Sequence, residues 1–109
     1  MKIAIPVSDN KGELSTVAEH FGHVKFMAVY DSETKQLGMV DVQETEGCSP
    51  ISAIDNLKVD IIYCLGMGTR AITLCEKKKI KLKTGKFRIV RDVINKLDEL
   101  DDLKEGCGH

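Results

Sequence analysis

Apolar residues recur along this chain first with the two-residue period of strands and later with the spacing of helices. Ile3, Ile5 and Val7 fall on one face of an extended segment and Ala4 on the other, which predicts a buried strand over Lys2–Ser8. Pro6 has no backbone N–H and is expected near the strand's end or at a bulge. Asp9–Gly12 is a turn-rich stretch, and Leu14–Val24, which has no clean period, is expected to be a loop with one helical turn. Lys25–Tyr30 and Leu37–Gln43 read as strands, and the polar link Asp31–Gln36 makes them an antiparallel hairpin.

Helical signals follow. After a loop over Glu44–Cys48, Ser49 has the character of an N-cap and Pro50 that of a first helical residue, predicting a helix to about Leu57. Asp60–Leu65 is continuously apolar after its first residue, as in a strand covered on both faces. Gly66-Met67-Gly68-Thr69 turns the chain into a helix over Arg70–Lys78, and Ile80–Lys83 is a short strand. Ile89, Val90, Val93, Ile94, Leu97 and Leu100 recur with helical spacing and predict a last helix over Ile89–Leu100. The order of strand, hairpin, then αβαβα predicts an α/β domain over residues 1–100: a mixed sheet with helices on its faces. Residues 101–109 are expected to be a flexible acidic tail carrying Cys107 and His109.

Charge and composition narrow the function classes. The 109 residues carry 16 Lys and Arg against 17 Asp and Glu, a formal net charge of −1, so the total charge does not draw the chain toward nucleic acid or an anionic membrane. There is no Trp, and aromatic residues make up 5%, which leaves few platforms for stacking bases. The apolar runs Ile3–Val7 and Ile61–Leu65 are too short for a signal-peptide core or a membrane span, so a cytoplasmic protein is expected. The four cysteines, at 48, 64, 75 and 107, should then stay reduced. None forms a Cys-x-x-Cys pair, which argues against a zinc ribbon or a thioredoxin-type site.

Four short segments could carry chemistry. In His20-Phe21-Gly22-His23 two imidazoles three apart can meet one metal, Gly22 permits close backbone approach and Phe21 can anchor the loop; a plain surface loop is the competing reading. Cys48 stands just before a predicted helix N-terminus, where the dipole and free amides favour a thiolate, although a half-buried cysteine beside a cap would look the same. Gly66, Met67, Gly68, Thr69 and Arg70 join a central strand to a helix, and loops at strand carboxyl ends are where open α/β sheets bind ligands. The pattern is not a nucleotide-binding fingerprint, and a tight strand-to-helix turn explains it equally. Cys107 and His109 could supply late metal ligands from the tail, or belong to a disordered end. Cys64, in the central strand, and Cys75, on a helix, read as packing residues. A nucleophile elbow is missing, and the first strand has no carboxylate before Asp9, so no enzyme site is expected.

The chain resembles the nitrogenase iron–molybdenum-cofactor biosynthesis family. The resemblance rests on the start Lys2–Val7, the His20-Phe21-Gly22 triplet, the strand ending Val29-Tyr30-Asp31, Val59–Ile62 followed by Gly66-Met67-Gly68 and Arg70-Ala71, and Ile80–Gly85. It covers about residues 1–95. Lys58 and Lys79 stand where many members place a glycine before a strand. The resemblance implies a ribonuclease H-like motif: a five-stranded mixed sheet with helices on both sides. It implies a carrier of the iron–molybdenum cofactor or its iron–sulfur precursor, with His20 as the foremost ligand and Gly66–Gly68 lining the same end of the sheet.

The leading expectation is therefore a carrier or scaffold for an iron–sulfur or iron–molybdenum-type cluster, without turnover of its own. His20, His23 and Cys48, with Cys107 and His109, would be its metal ligands, and His20, Phe21, Gly22, Gly66, Met67, Gly68, Thr69 and Arg70 would surround the cofactor. Its partners would be cluster donor and acceptor proteins, not nucleic acid or membrane, and it would be a monomer or weak homodimer. A protein-interaction or regulatory domain without metal is the alternative, and a metal-dependent hydrolase is a remote one.

Overall fold

The structure, a computed structural model, describes residues 1–19, 26–41, 59–65 and 69–102. One mixed sheet organises them. Its strands are β1 (Lys2–Val7), β2 (Phe26–Asp31), β3 (Gln36–Asp41), β4 (Ile61–Tyr63), β5 (Lys81–Thr84) and β6 (Asp101–Asp102), in spatial order β3-β2-β1-β4-β5-β6. β3, β2 and β1 pair antiparallel, β1, β4 and β5 pair parallel, and β6 returns antiparallel on β5. Two helices are described, α1 (Thr69–Lys77) and α2 (Val90–Asn95).

Alternation along the strands divides the core in two. Ile3, Ile5, Val7, Ala28, Ile61 and Tyr63 pack with Val17 and with Val90 and Val93 of α2. Ala4, Met27, Ile62, Cys64 and Leu82 pack with Ala18 and with Ile72 and Cys75 of α1. Each strand of β1, β2 and β4 thus contributes successive residues to opposite clusters, as the pleat requires.

The β2–β3 hairpin has a local cause. Asp31 Oδ1 accepts the Glu33 N–H at 2.9 Å, the Asp31 carbonyl accepts the Lys35 N–H at 2.7 Å, and Lys35 takes a positive φ of 58° to return the chain. Pro6 lies late in β1, beyond Ala4, where pairing with β4 ends, so its missing donor interrupts no ladder there.

Three readings of the sequence need correction. The last helix stops at Asn95 instead of Leu100; Lys96 leaves the helical region, and a 3-10 turn follows over Leu97–Glu99. Continuing would have placed Asp98 and Glu99 at a helix C-terminus, against the dipole. Leu97 and Leu100 still pack on the core, so the apolar period reported burial correctly and regularity wrongly. The chain then adds Asp101 and Asp102 to the sheet, a sixth short strand within the stretch read as tail. The segment after Asp9 is more ordered than a loop. A 3-10 turn spans Gly12–Leu14, and residues 16–18 lie between β1 and the 88–90 segment: Ser8 N–H donates to the Thr16 carbonyl, Ala18 N–H to Pro6, Val17 N–H to Arg88 and Val90 N–H to Ser15. The helix expected from Ser49 to Leu57 lies outside the described residues.

Candidate functional site

The carboxyl end of the sheet is where the candidate segments leave and re-enter the described chain. The β1–β2–β3 register sets Val7 beside Phe26 and Phe26 beside Asp41. β4 runs parallel to β1, so Leu65 follows its end on the same side. The segments 20–25 and 66–68, and the start of 42–58, are therefore all flanked by residues of this one end. Asp60, Met1, Lys79 and the Asp31–Gln36 turn occupy the other end.

His20, Phe21, Gly22, His23, Cys48, Gly66, Met67, Gly68, Cys107 and His109 lie outside the described residues. Thr69 and Arg70 open α1, with backbone described. Among the described residues no group of three or more His, Cys, Asp or Glu could hold a metal ion. Cys64 and Cys75 are fully buried in the α1-side core and neither forms a disulfide, and burial pushes the Cys75 thiol up to about 11. These two are packing residues, as their apolar settings implied.

What the described residues supply is a scaffold for the loops. Tyr63 is wholly buried, and its hydroxyl donates to the Phe87 carbonyl at 2.8 Å and accepts the Phe87 N–H at 3.1 Å. It thereby holds the 85–88 segment against the end of β4. Desolvation pushes its phenol up to about 12, against the opposing backbone hydrogen bond, so it stays a neutral donor and acceptor at any ordinary pH. The sequence carried a signal for this: a hydroxyl in an otherwise apolar, doubly covered strand needs a partner. On the other side of this end, Asp9 Oδ1 accepts the Thr16 N–H at 2.8 Å, and the buried Ser15 Oγ accepts the Lys11 N–H at 2.8 Å. Arg88 and Glu19 form an exposed ion pair at 3.6 Å that joins the residue before His20 to the segment held by Tyr63.

The strand-end carboxylates do not converge. Asp9 stands at the carboxyl end, and Asp31 and Asp60 stand at the other. Each accepts a backbone N–H, Asp60 from Lys2 at 2.9 Å and Asp31 from Glu33. That turn-and-strand role is the one these residue types commonly fill, and it counts against a hydrolytic carboxylate site.

Solved structures similar in fold include the following three. The crystal structure of the protein PH0822 superimposes with a TM-score of 0.82 at 28% identity, covering 94% of this chain and 96% of that one. The apo form of the orange protein from Desulfovibrio gigas gives 0.81 at 18% identity, with 96% and 94% covered. A candidate NifB protein from Thermotoga gives 0.77 at 19% identity, with 96% and 98% covered. No curated protein matches the chain. A family model described as dinitrogenase iron–molybdenum cofactor matches residues 1–100.

Proposed function

We propose, from the premise that this chain belongs to the dinitrogenase iron–molybdenum cofactor family, that it carries an iron–sulfur or iron–molybdenum-type cluster, or a precursor of one, at the carboxyl end of its sheet. The cluster is cargo, received from a donor protein and passed to an acceptor, and the chain performs no turnover of its own. The observation that carries this reading is the topology. Residues at one end of one sheet flank both the segment holding His20 and His23 and the segment Gly66–Gly68, and the segment holding Cys48 starts there.

The donor chemistry fits the cargo. Both described thiols are sealed in the core, so soft ligands would come from Cys48 and the imidazoles of His20 and His23, with Cys107 and His109 as late ligands. Backbone amides around Gly66–Gly68, with Met67, Thr69 and the charge of Arg70, would meet the anionic periphery of a cluster, and Phe21 and Gly22 would let the chain close on it. The fold is read as ribonuclease H-like, with helices on both faces. No described helix is long and apolar enough to cross a membrane, and the proposed setting is the cytoplasm, as a monomer or weak homodimer.

Anaerobic mixing of the apo-protein with iron and sulfide, followed by desalting, tests the reading. Stoichiometric iron with a visible charge-transfer band is expected, and the double variant His20→Ala/Cys48→Ala should lose both. Equal iron in wild type and variant would show that the ligands lie elsewhere.

A further inference from the structure

The edge strand β3 carries none of the devices that keep a strand edge from pairing. It runs for six residues, Gln36–Asp41, and contains no Lys and no Pro. It pairs one-to-one with β2 along its whole length, so no bulge twists it away. Alternate residues of an antiparallel strand direct their N–H and C=O groups away from the strand they pair with, and among the described residues no strand takes up those of β3. Gln36, Gly38 and Asp41, at its start, middle and end, are exposed. Gly38 has no side chain, so its exposure is that of its backbone, and a Cβ added there would meet nothing within 4 Å. A strand already laid along this side would bury that backbone from the flank.

The order of side chains along β3 is complementary to itself. Two copies related by a two-fold axis perpendicular to the sheet pair β3 with β3 antiparallel and keep each face on its own side, so odd-numbered residues oppose odd and even oppose even. With the axis at Gly38, Leu37 falls opposite Met39 of the second copy, and both are half-buried apolar residues on the face that carries α2. Lys35, the last turn residue before β3, falls opposite Asp41 of the second copy, once at each end. Lys35 is exposed, and among the described residues no carboxylate forms an ion pair with it. The neighbouring registers lose the match. An axis at Met39 sets Leu37 against the Asp41 carboxylate, and an axis at Leu37 sets Lys35 against Met39 and Glu33 against Asp41.

We infer that β3 is the edge through which two copies of this chain associate, joining their sheets into one across a two-fold axis at Gly38, with the Lys35–Asp41 pairs selecting the register. Main-chain hydrogen bonds supply the attraction, and the apolar pairs Leu37–Met39 finish burying side chains that one copy leaves half-covered. The exposed ion pairs add little strength, and their part is to exclude the neighbouring registers. Six residues a side fall well short of the about 800 Å² per partner that a stable interface buries, so the dimer is weak and concentration-dependent. The interface is built from described residues and needs no metal, so it stands or falls apart from the cluster reading.

The test takes the 109-residue apo-protein from about 0.01 to about 1 mM and follows its mass by sedimentation and its amides by NMR. The mass should rise toward that of a dimer, and the amides of residues 35–41 should shift with concentration more than those of β5. Gly38→Lys sets like charges directly opposite each other at the axis while entering open space in the single chain, and should weaken association about tenfold. Lys35→Glu should weaken it by a smaller factor. Lys35→Glu/Asp41→Lys, which restores opposite charges in the same register only, should recover it. An unchanged thermal melt is the folding control for each variant. A chain monomeric across the whole range, association insensitive to Gly38→Lys, or a double variant no tighter than Lys35→Glu would each overturn the inference.

Discussion

The two halves of the sheet are built on different terms. β1 and β2, and β2 and β3, each pair along six residues, whereas β1 and β4 share two pairs and β4 and β5 three. The antiparallel half closes through a short hairpin whose turn residues fix its register locally. The parallel half is reached by crossovers, and its short ladders leave it dependent on side chains: Ile62, Cys64 and Leu82 against Ile72 and Cys75 on one face, and Tyr63 bound to Phe87 at its end. The half with the sparser backbone pairing is also the one that leads into Gly66–Gly68. Its loops are held by a few named contacts, which can be cut one at a time.

The largest effect should come from the parallel half's core. Ile62→Ala removes a side chain with no exposure and should cost about 2–5 kcal/mol in urea unfolding. Val29→Ala, half-buried in the antiparallel half on the same face, should cost about 1 kcal/mol. Equal losses would erase the contrast. Tyr63→Phe leaves the Phe87 N–H and carbonyl unsatisfied and should cost about 1–3 kcal/mol. It should also speed amide exchange at Phe87 and Arg88 more than anywhere in the β2–β3 hairpin.

The same half sets an alkaline limit. Burial raises Tyr63 from 10.0 to about 12 and Cys75 from 9.0 to about 11. The neutral forms are favoured in the folded state, so their contribution is complete below the unfolded values. It should be lost as pH rises from about 9 to about 12, because the unfolded chain releases these protons first. Unfolding curves across that range should show the decline, and Tyr63→Phe should flatten its upper part. The smallest effect concerns the turn into β5. Lys79 takes a φ of 61°, with Ile80 N–H bonded to the Cys75 carbonyl and Lys79 N–H to Glu76, the arrangement of a Schellman motif. A side chain is strained there, so Lys79→Gly should stabilise the protein by up to about 1 kcal/mol, the relieved strain being partly offset by unfolded-chain entropy.

Lys79 also shows how far the sequence could be read. Its departure from a family glycine was visible in the chain, and its conformation is the one glycine favours. β1, β2 and β4 were legible because they bury one or both faces, and alternation or unbroken apolarity reports that directly. The end of α2 was not, since Leu97 and Leu100 pack half-buried on the core although the backbone between them is not α-helical. The short strand Asp101–Asp102 has no apolar residue to announce it, and only its pairing with Lys83 and Thr84 makes it a strand. The candidate segments were named from chemistry and resemblance, and the fold adds that residues flanking them share one end of the sheet. The Tyr63 hydroxyl, alone in an apolar strand, signalled that it needs a partner without naming Phe87, and the exposed Arg88–Glu19 pair, distant in sequence, carries no local pattern.

The central claim is that a metal cluster binds at the carboxyl end of this sheet. Amide spectra recorded before and after anaerobic loading with iron and sulfide test it most directly, since a paramagnetic cluster broadens nearby signals. Broadening of residues 8–19, Phe26, Asp41, Leu65 and 86–88, with sharp signals retained at Lys2, 32–36, Asp60 and Lys79, is the predicted result. Broadening centred on Asp60 and Lys79, or bound iron with every described amide unperturbed, would contradict it.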